Sequence, residues 1–436
     1  METIVSKNTY YSRTCSGSIW CAIVVLVMLS LGGCCHGQGE DVVAPMLKEE
    51  QEALYNAIQG FVGNGWNGSD LYPDPCGWTP IQGVACDLFD GFWYVSELNI
   101  GPVHDNSLTC AKKPEFRPEL FQLNHLRILS FFNCFTSTHH PMILPIYNWE
   151  KLSRTLVTLE FRSNPALIGP IPTSFGSLEK LQSLILLENK LTGQIPTSVG
   201  NLRNLKRLVL SGNRFTGQVP YSLGDLDQLL IMDMSWNSLS GSLPSTFGYL
   251  NSLLKLDLSF NSIMGQIPYE ISNLKNLTIL DLRSNSFSGG LMIPFQKMES
   301  LQELVIAHNP IGGDLDAIEW ENMKNLVFLD LSRCGITGKV PESIAEMPKV
   351  RYLDLSSNNL NGGLSPKLEK MASVSAIYVY GNKLTGELMF TDGFYRKMGR
   401  KFGAWGNPGL CYSGRLRMGR GPVGVRQCHV SKGDSS

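Results

Sequence analysis

Five aspartates recur at one position of a repeated segment, and their spacing is the strongest hint of chemistry in the chain. They are Asp233, Asp257, Asp281, Asp330 and Asp354, spaced by 24 residues except for the 49 residues between Asp281 and Asp330, where one copy lacks the aspartate. Such a column of carboxylates could bind a divalent cation or exchange protons in acid–base catalysis. Each aspartate, however, occupies the same LDLS-type context, so contacts between neighbouring copies explain the column. We therefore expect no catalytic residue, no metal site and no cofactor.

Other signatures of catalysis or of nucleic-acid binding are missing from the sequence. The chain has seven histidines, of which only His139 and His140 are adjacent. There is no HExxH motif, no phosphate-binding loop and no GxSxG nucleophile elbow in a suitable context. The formal net charge of −1 argues against a nucleic-acid partner. These observations favour a non-enzymatic protein that works through its surface.

The elements that carry the aspartates are copies of the pattern LxxLxLxxN. The period is 24 residues and lengthens to 25 only twice. Its last position, the ladder position, is occupied by Asn164, Asn189, Asn213, Asn237, Asn261, Asn285, Asn309, Cys334, Asn358 and Asn382. A fixed period of 20–29 residues with this signature is typical of a leucine-rich-repeat solenoid.

The alternation within each copy predicts a short strand with one buried face. In one copy, Leu208 and Leu210 would point inward, while Val209 would point out of the concave face. The asparagine that follows would bond backbone groups of adjacent turns and form a ladder. A second consensus, LxGxIP, resembles the plant-specific repeat subtype, in which it forms another short strand. We predict an α/β solenoid with short parallel strands on the concave face and few helices.

The same patterns divide the chain into four segments. An apolar run at residues 19–31 is too short to cross a bilayer comfortably and favours a cleaved signal peptide at 1–38, with a signal anchor as the alternative. An N-terminal cap would follow at 39–94. Residues 95–390 would form about twelve coils, the first two irregular, and 391–436 would form the C-terminal cap and tail.

Cysteine positions fit an extracellular solenoid whose two ends are closed by disulfides. Seven cysteines follow the signal segment. We predict the bonded pairs to be Cys76 with Cys86, Cys110 with Cys134, and Cys411 with Cys428. Cys334 then remains unpaired. We expect it to be a buried free thiol, in preference to a redox site.

The caps carry motifs that resemble those of plant leucine-rich-repeat receptor-like proteins. Residues 50–86 contain DPCGW and VAC, and residues 406–411 read GNPGLC. The irregular unit at 126–135 is similar to a receptor-like subgroup associated with responses to root-colonising fungi. The resemblance implies a kinase-less cell-surface or apoplastic component, whose partner is a receptor-kinase ectodomain, a secreted peptide or both.

Other features bear on the compartment. Two sequons, at Asn67 and Asn276, are candidate glycosylation sites and agree with a secretory route. After Cys428 the sequence holds no apolar stretch, so we expect membrane association only through a partner, if at all. The last fifty residues hold nine lysines or arginines against three acidic residues. This basic end is either a solvated cap or a contact for an acidic polysaccharide or membrane surface.

Two candidate binding regions stand out on the concave face, where side chains are free of the consensus. Ile185, Leu187 and Val209 replace the usual polar residues and would form an apolar patch. Trp236 and Phe260 occupy one column in adjacent coils, about 5 Å apart. Neighbouring exposed aromatics suit a protein or peptide partner. The alternative for these two rings is packing over the loop of the next coil.

A third candidate region lies near the C-terminal coils. It consists of Tyr352, Tyr378 and Tyr380, with Arg333 nearby. Tyrosine and arginine are frequent anchors of protein interfaces. We predict this region to be the main docking surface for a partner ectodomain.

Two other functions remain open from the sequence. An apoplastic inhibitor of microbial wall-degrading enzymes, similar to polygalacturonase inhibitors, shares the repeat. Those inhibitors usually have four-cysteine caps at both ends, whereas each cap here has the cysteines for one bridge. A structural wall protein, the other alternative, would bind polysaccharide without responding to a peptide.

Overall fold

The described part of the chain begins after the predicted signal peptide. A computed structural model describes residues 44–102, 108–291, 293–413 and 422–428. The predicted signal peptide at 1–38 lies outside these ranges. So do part of the predicted C-terminal segment and Arg415, Arg417 and Arg420 of its basic end.

One long sheet, here called the concave sheet, takes one strand from each coil. Within the described ranges it has fourteen strands, parallel except for the antiparallel first pair. In chain order they are Val84–Phe89, Phe92–Ile100, Ile128–Phe132, Thr158–Arg162, Ser183–Leu187, Arg207–Val209, Ile231–Asp233, Lys255–Asp257, Ile279–Asp281, Glu303–Val305, Phe328–Asp330, Tyr352–Asp354, Ala376–Tyr378 and Phe402–Gly403. The predicted solenoid with short parallel strands is thereby confirmed. The sheet also continues for one strand beyond the predicted end at residue 390.

The LxGxIP segments form a second sheet beside the concave one, as the sequence predicts. Its strands in the described residues are Met142–Ile143, Leu167–Gly169, Lys190–Gly193, Arg214–Gln218, Ser238–Gly241, Ser262–Gln266 and Ser286–Ser288. The consensus glycine is needed because this position has a positive φ, 80° at Gly193 and 78° at Gly217, which costs other residues free energy.

The convex side is built mostly from single 3₁₀ turns, because too few residues remain in each copy for a long helix. The turns are Pro118–Gln122, Trp149–Leu152, Thr173–Ser177, Thr197–Asn201, Tyr221–Asp225, Ser245–Tyr249, Tyr269–Asn273, Ile293–Lys297, Leu315–Ala317, Trp320–Asn322, Glu342–Glu346 and Pro366–Lys370. One more 3₁₀ turn, Gly399–Lys401, directly precedes the last strand of the concave sheet. Leucines from strands and turns fill the interior. Leu208 and Leu210, for example, are fully buried.

Both ends of the solenoid are covered. At the N-terminal end, the helices Lys48–Val62 and Gly68–Leu71 precede the first strand, and Leu54, Ile58 and Phe61 are fully buried. At the C-terminal end lie the helix Asp392–Met398 and a small sheet. The strands of that sheet are Asn361–Gly362, Lys383–Leu388, Gly409–Tyr412 and Arg426–Gln427. The apolar ends of the core are therefore shielded from water, as a solenoid requires.

Three disulfides occur in the described residues. They join Cys76 to Cys86, Cys110 to Cys134 and Cys411 to Cys428, with Cα separations of 5.7, 5.1 and 4.8 Å. These are the pairs that the sequence predicts. The first and third close the two caps, and the second ties the irregular coil. Cys334 is free and buried.

The thiol of Cys334 should be inert while the protein is folded. Burial raises the pKa of Cys334 to about 12, and the thiolate is the species that reacts. In a chain that starts at residue 39, iodoacetamide at pH 8 should modify no cysteine under native conditions. After unfolding without a reductant, it should modify one. Mass spectrometry counts the modified cysteines in the folded and in the unfolded protein. Rapid modification of Cys334 in the folded protein would contradict the expectation.

The ladder position is a set of buried or half-buried amides that join successive coils. Asn237 shows the arrangement: its Nδ2 donates to the carbonyls of Leu210 and Met234, and its Oδ1 accepts from the backbone N–H of Phe215. Cys334 replaces one rung, and its Sγ lies 3.4 Å from two carbonyl oxygens. Asn407 makes the same contacts one coil beyond the last predicted rung. The ladder therefore continues into the C-terminal cap.

Candidate binding surface on the concave sheet

The aspartate column serves the turns that follow the strands. Each carboxylate accepts a hydrogen bond from the backbone N–H two residues later, as Asp233 does from Ser235 at 3.2 Å. Lys255 also bridges Asp233 and Asp257, with Nζ 3.0 and 3.3 Å from their carboxylate oxygens. In the described part of the chain, no three His, Cys, Asp or Glu side chains are grouped so that they could hold a metal ion. The column is accounted for by these local bonds.

Of the five aspartates, Asp281 is the one with a large pKa shift, and its carboxylate is nearly enclosed. Its side chain pairs with Arg283 at 2.9 Å and has only 8% of its surface exposed. Burial, followed by the nearby charge of Asp257, raises the pKa of Asp281 to about 6. The charged form is therefore less favourable in the folded protein than in the unfolded chain.

Asp281→Asn should change how stability depends on pH. Below the unfolded pKa near 4, both states are protonated and the shift has no effect. As pH rises from 4 to 6 the unfolded chain ionises first, so the parent loses stability, by roughly 2–3 kcal/mol for a shift of about two units. The free energy of unfolding of the variant minus that of the parent, measured with urea, should therefore rise by about this amount between pH 4 and pH 7.5. If this difference in unfolding free energy is the same at both pH values, the pKa of Asp281 is not raised.

One member of the predicted apolar patch, Ile185, is not exposed, and this part of the prediction needs correction. Ile185 is only 2% exposed, although it points to the concave side. Glu160 and Val209 flank it in register on the neighbouring strands. At a strand spacing of about 4.8 Å, adjacent side chains cover a residue between them. Leu187 and Val209 are half-buried, so these two side chains are the part of the patch that a partner could still reach.

Trp236 and Phe260 form an exposed stack at the edge where the chain leaves the concave sheet. Their ring centroids are 3.8 Å apart with planes inclined by 13°, and Trp236 is 60% exposed. Arg283 lies over Phe260 at 5.7 Å. Both aromatic residues have a φ of 54°, a left-handed conformation that is unfavourable for bulky residues. The rings pack on each other, but Trp236 still faces solvent.

A longer group of aromatics crosses the last coils, and we call it the C-terminal aromatic row. Its members lie on four consecutive strands or the turns after them and are Phe328, Tyr352, Tyr378, Tyr380 and Trp405. Phe328 stacks on Tyr352 at 4.2 Å, and Tyr380 stacks on Trp405 at 4.5 Å. Tyr378 links the two stacks, at 5.8 Å from Tyr352 and 6.3 Å from Tyr380.

Polar and charged side chains lie beside the stacked rings of the row. The hydroxyl of Tyr352 donates to Asp354 at 3.1 Å. Burial, with the neighbouring carboxylates of Asp354 and Asp330, raises the pKa of Tyr352 well above its usual value. Arg333 is exposed in the turn after one of these strands, with a φ of 54°. A partner would thus meet stacked rings, of which four are half-buried and Trp405 is exposed, together with the cation of Arg333.

Two of the five rings, Phe328 and Trp405, were not among the predicted binding residues. Phe328 occupies the position of Tyr352 one coil earlier, paired with it in register. Trp405 precedes Asn407 by two residues, as Tyr380 precedes Asn382. Both could have been found by extending the repeat columns by one coil in each direction.

The two sequons lie away from these aromatics in the chain. Asn67 and Asn276 are both exposed. The amide of Asn67 donates to Asp70 at 2.8 Å, and that of Asn276 donates to the carbonyl of Asn251 at 2.8 Å. Their glycosylation stays a prediction. Among the helices of the described ranges, none is long and apolar enough to span a bilayer.

Comparison with known proteins identifies the family. Models of the leucine rich repeat match residues 203–263, and also 276–298, 325–347 and 349–371. Piriformospora indica-insensitive protein 2 of Arabidopsis thaliana is 54% identical over 171 residues, which cover 38% of this chain and 40% of that protein. The chain is a leucine-rich-repeat protein that is similar to plant receptor-like proteins. The resemblance predicted from the cap motifs is confirmed.

A second relative of this leucine-rich-repeat protein has a receptor-like name. Receptor like protein 29 of Arabidopsis thaliana is 34% identical over 158 residues, which cover 35% of this chain and 32% of the relative. The matched segments thus span less than half the length of either curated relative.

Solved structures similar to the leucine-rich-repeat protein include plant receptor ectodomains. The Arabidopsis receptor kinase HAESA, in complex with the peptide hormone IDA and the co-receptor SERK1, matches with a TM-score of 0.62 and 26% identity. That match covers 84% of this chain and 62% of the solved chain. The plant peptide hormone receptor RGFR1, in complex with RGF2, matches with a TM-score of 0.60 and 27% identity, over 67% of this chain and 48% of the receptor.

Proposed function

We propose that this protein is a non-enzymatic, extracellular recognition component that binds a peptide or protein partner in plant signalling. The observation that supports this proposal most directly is the C-terminal aromatic row, in which five rings are in contact across four neighbouring coils. Tyrosine and tryptophan are enriched among the residues that dominate binding energies. Rings fixed by stacking lose little conformational freedom when a partner binds.

The similarity to receptor ectodomains supports a role as a kinase-less receptor-like component. In this role the protein would recognise an extracellular peptide, a receptor-kinase ectodomain or both, and the kinase of the partner would carry the signal inward. The relationship to Piriformospora indica-insensitive protein 2 supports a setting in the response to root-colonising fungi. Secretion through the predicted signal peptide, glycosylation at the two sequons and attachment to the membrane only through a partner belong to the same proposal.

The proposal can be tested with the secreted chain from residue 39 onward. The purified protein would be immobilised and exposed to a panel of leucine-rich-repeat receptor-kinase ectodomains, with and without secreted peptides from colonised roots. We expect at least one ectodomain to be retained. Crosslinking on living root tissue would extend the search to partners outside the panel.

An enzyme assay in parallel distinguishes the inhibitor alternative. The same preparation would be titrated into fungal polygalacturonases, and residual activity would be measured. Strong inhibition together with no retained ectodomain and no crosslinked receptor would replace our proposal with the apoplastic inhibitor. Retention of an ectodomain without inhibition would support the receptor-like function.

A further inference from the structure

Two exposed leucines lie at the edge of the concave sheet where its strands begin. Leu230 and Leu254, here called the leucine pair, are 37% and 41% exposed. Each immediately precedes a strand, and the N–H of Leu254 donates to the carbonyl of Leu230 at 2.9 Å. The coils on either side carry Lys206 and Thr278 at this position. The pair is therefore an apolar spot between polar neighbours.

The sequon at Asn276 belongs to the next coil and is bonded to the coil of Leu254. Nδ2 of Asn276 donates to the carbonyl of Asn251 at 2.8 Å. Oγ1 of Thr278 and the N–H of Thr278 both donate to the carbonyl of Leu254 itself, each at 2.8 Å. Both polar side chains of the sequon are thus turned toward the coil that carries Leu254.

The hydrogen bond of Asn276 does not by itself require a sequon. Asn204 and Asn325 hold the same position in other coils, and their Nδ2 atoms also donate to carbonyls of the preceding coil, at 2.7 and 2.8 Å. Two residues later stand Lys206 and Val327, so neither asparagine is a glycosylation acceptor. Of these three asparagines, the one that follows the leucine pair has the threonine that glycosylation needs.

We propose that an N-linked glycan on Asn276 covers the leucine pair with its first sugar. The inference rests on the glycosylation included in the proposed function. Nδ2 of Asn276 has two hydrogens, and one is donated to the carbonyl of Asn251. In glycosylation the other hydrogen is replaced by the anomeric carbon of the sugar, as the pyrophosphate-linked lipid carrier leaves. The amide can therefore keep its bond to the coil of Leu254 while it holds the sugar.

A pyranose ring suits this surface because its C–H groups can lie on the leucines while its hydroxyls remain in water. Removing apolar surface from water stabilises the folded protein. The coils that precede Asn204 and Asn325 carry Gln182 and Gln302 in place of the leucines, so a sugar on either asparagine would gain no such stabilisation. The glycan would also leave the opposite edge of the concave sheet open, where Trp236 is exposed.

The test measures thermal unfolding of the secreted chain with Ser69→Ala, which leaves Asn276 as its one sequon. The protein is expressed with high-mannose glycans, and endoglycosidase H trims the glycan to a single N-acetylglucosamine, which mass spectrometry locates. The trimmed protein should keep the Tm of the untrimmed one. Asn276→Gln should lower Tm by about 2–3 °C more than Asn204→Gln, because the control removes the same kind of hydrogen bond without removing a sugar.

Two further backgrounds show whether the leucines are what the sugar covers. With Leu230→Ser and Leu254→Ser, Asn276→Gln should cost no more than Asn204→Gln does. Lys206→Thr turns Asn204 into a sequon whose preceding coil carries a glutamine, and there Asn204→Gln should cost the same with its sugar as without it.

The outcomes separate this inference from the proposed function. Equal losses of Tm for Asn276→Gln and Asn204→Gln, or an undiminished sugar effect without the leucines, would overturn the covering role and leave the glycosylation itself standing. Absence of a sugar on Asn276 would overturn both. Retention of a receptor-kinase ectodomain tests partner binding separately, and it should be the same for Asn276→Gln as for the parent.

Discussion

Tyr378→Ala combined with Tyr380→Ala should weaken binding of a captured partner at least thirtyfold while the solenoid stays folded. The substitutions remove the central rings of the C-terminal aromatic row. Tyr380 stacks on Trp405 at 4.5 Å, and Tyr378 joins that stack to Tyr352. A hot-spot residue contributes about 2 kcal/mol or more, which is roughly a thirtyfold change in affinity. Because the two rings are neighbours, their losses need not add.

The fold should tolerate this change because the buried residues of the same segment are untouched. Ile377 and Val379 alternate with the two tyrosines and are fully buried. Circular dichroism and urea unfolding should therefore resemble those of the parent. Leu353→Ala is the opposite control, since it removes a fully buried side chain and should cost about 2–5 kcal/mol of stability.

A matched pair of tyrosines controls for composition. Tyr221 and Tyr249 are 69% and 64% exposed on the convex 3₁₀ turns. Tyr221→Ala with Tyr249→Ala should leave binding, measured by surface plasmon resonance, within about twofold of the parent. If both double variants bind the partner as tightly as the parent does, the row is not the docking surface. The Trp236–Phe260 stack would then be the next surface to mutate.

Gly403 gives a second way to disturb the row without removing a ring. A Cβ at this position would lie 2.8 Å from the ring of Tyr378 and 2.7 Å from that of Trp405. Real Cβ atoms do not approach other atoms so closely, so Gly403→Ala should displace both rings. Weaker partner binding in this variant, with a normal unfolding curve, would support recognition by a fixed arrangement of rings.

The solenoid could be predicted from the sequence because each copy repeats the same physical requirement. Two buried leucines, a turn asparagine and a glycine that needs positive φ recur with a nearly constant period. Neighbouring copies therefore stack in register, and Leu256, for example, pairs with Leu280. The ladder position of Asn407 was missed because its flanking residues, Phe402 and Ala404, depart from the leucine consensus.

The surface was harder to predict because exposure depends on neighbours in other coils. Ile185 points to the concave side, as expected, but adjacent strands cover it and leave 2% exposed. A pocket near the N-terminal end is lined by Arg154 and Lys180 from different coils and by Phe89 from the N-terminal cap. No single stretch of sequence carries that arrangement. Periodicity fixes which way a side chain points, whereas the size of its neighbours decides whether a partner can reach it.

Asn309→Ala should be among the most destabilising single substitutions in the solenoid. Asn309 is 2% exposed. Its Nδ2 donates to the carbonyls of Leu282 and Ile306, at 2.9 and 2.7 Å, and its Oδ1 accepts from the N–H of Phe287 at 3.0 Å. Alanine leaves these backbone groups buried without a partner. At about 1–3 kcal/mol for each unsatisfied group, the loss should reach roughly 3 kcal/mol or more.

Two comparisons show whether the ladder itself carries this effect. Asn359→Ala removes an exposed amide near another rung and should change stability by less than about 0.5 kcal/mol. Cys334→Ala removes a thiol from a ladder position that already lacks the amide, so its cost should stay well below that of Asn309→Ala. Urea midpoints at constant slope measure all three variants. A small loss for Asn309→Ala would mean that leucine packing alone holds the coils together. The predicted order, with the loss for Asn309→Ala far the largest, requires the buried amides to stabilise the stack. A coil that loses its amide leaves backbone groups unpaired both in that coil and in the preceding one.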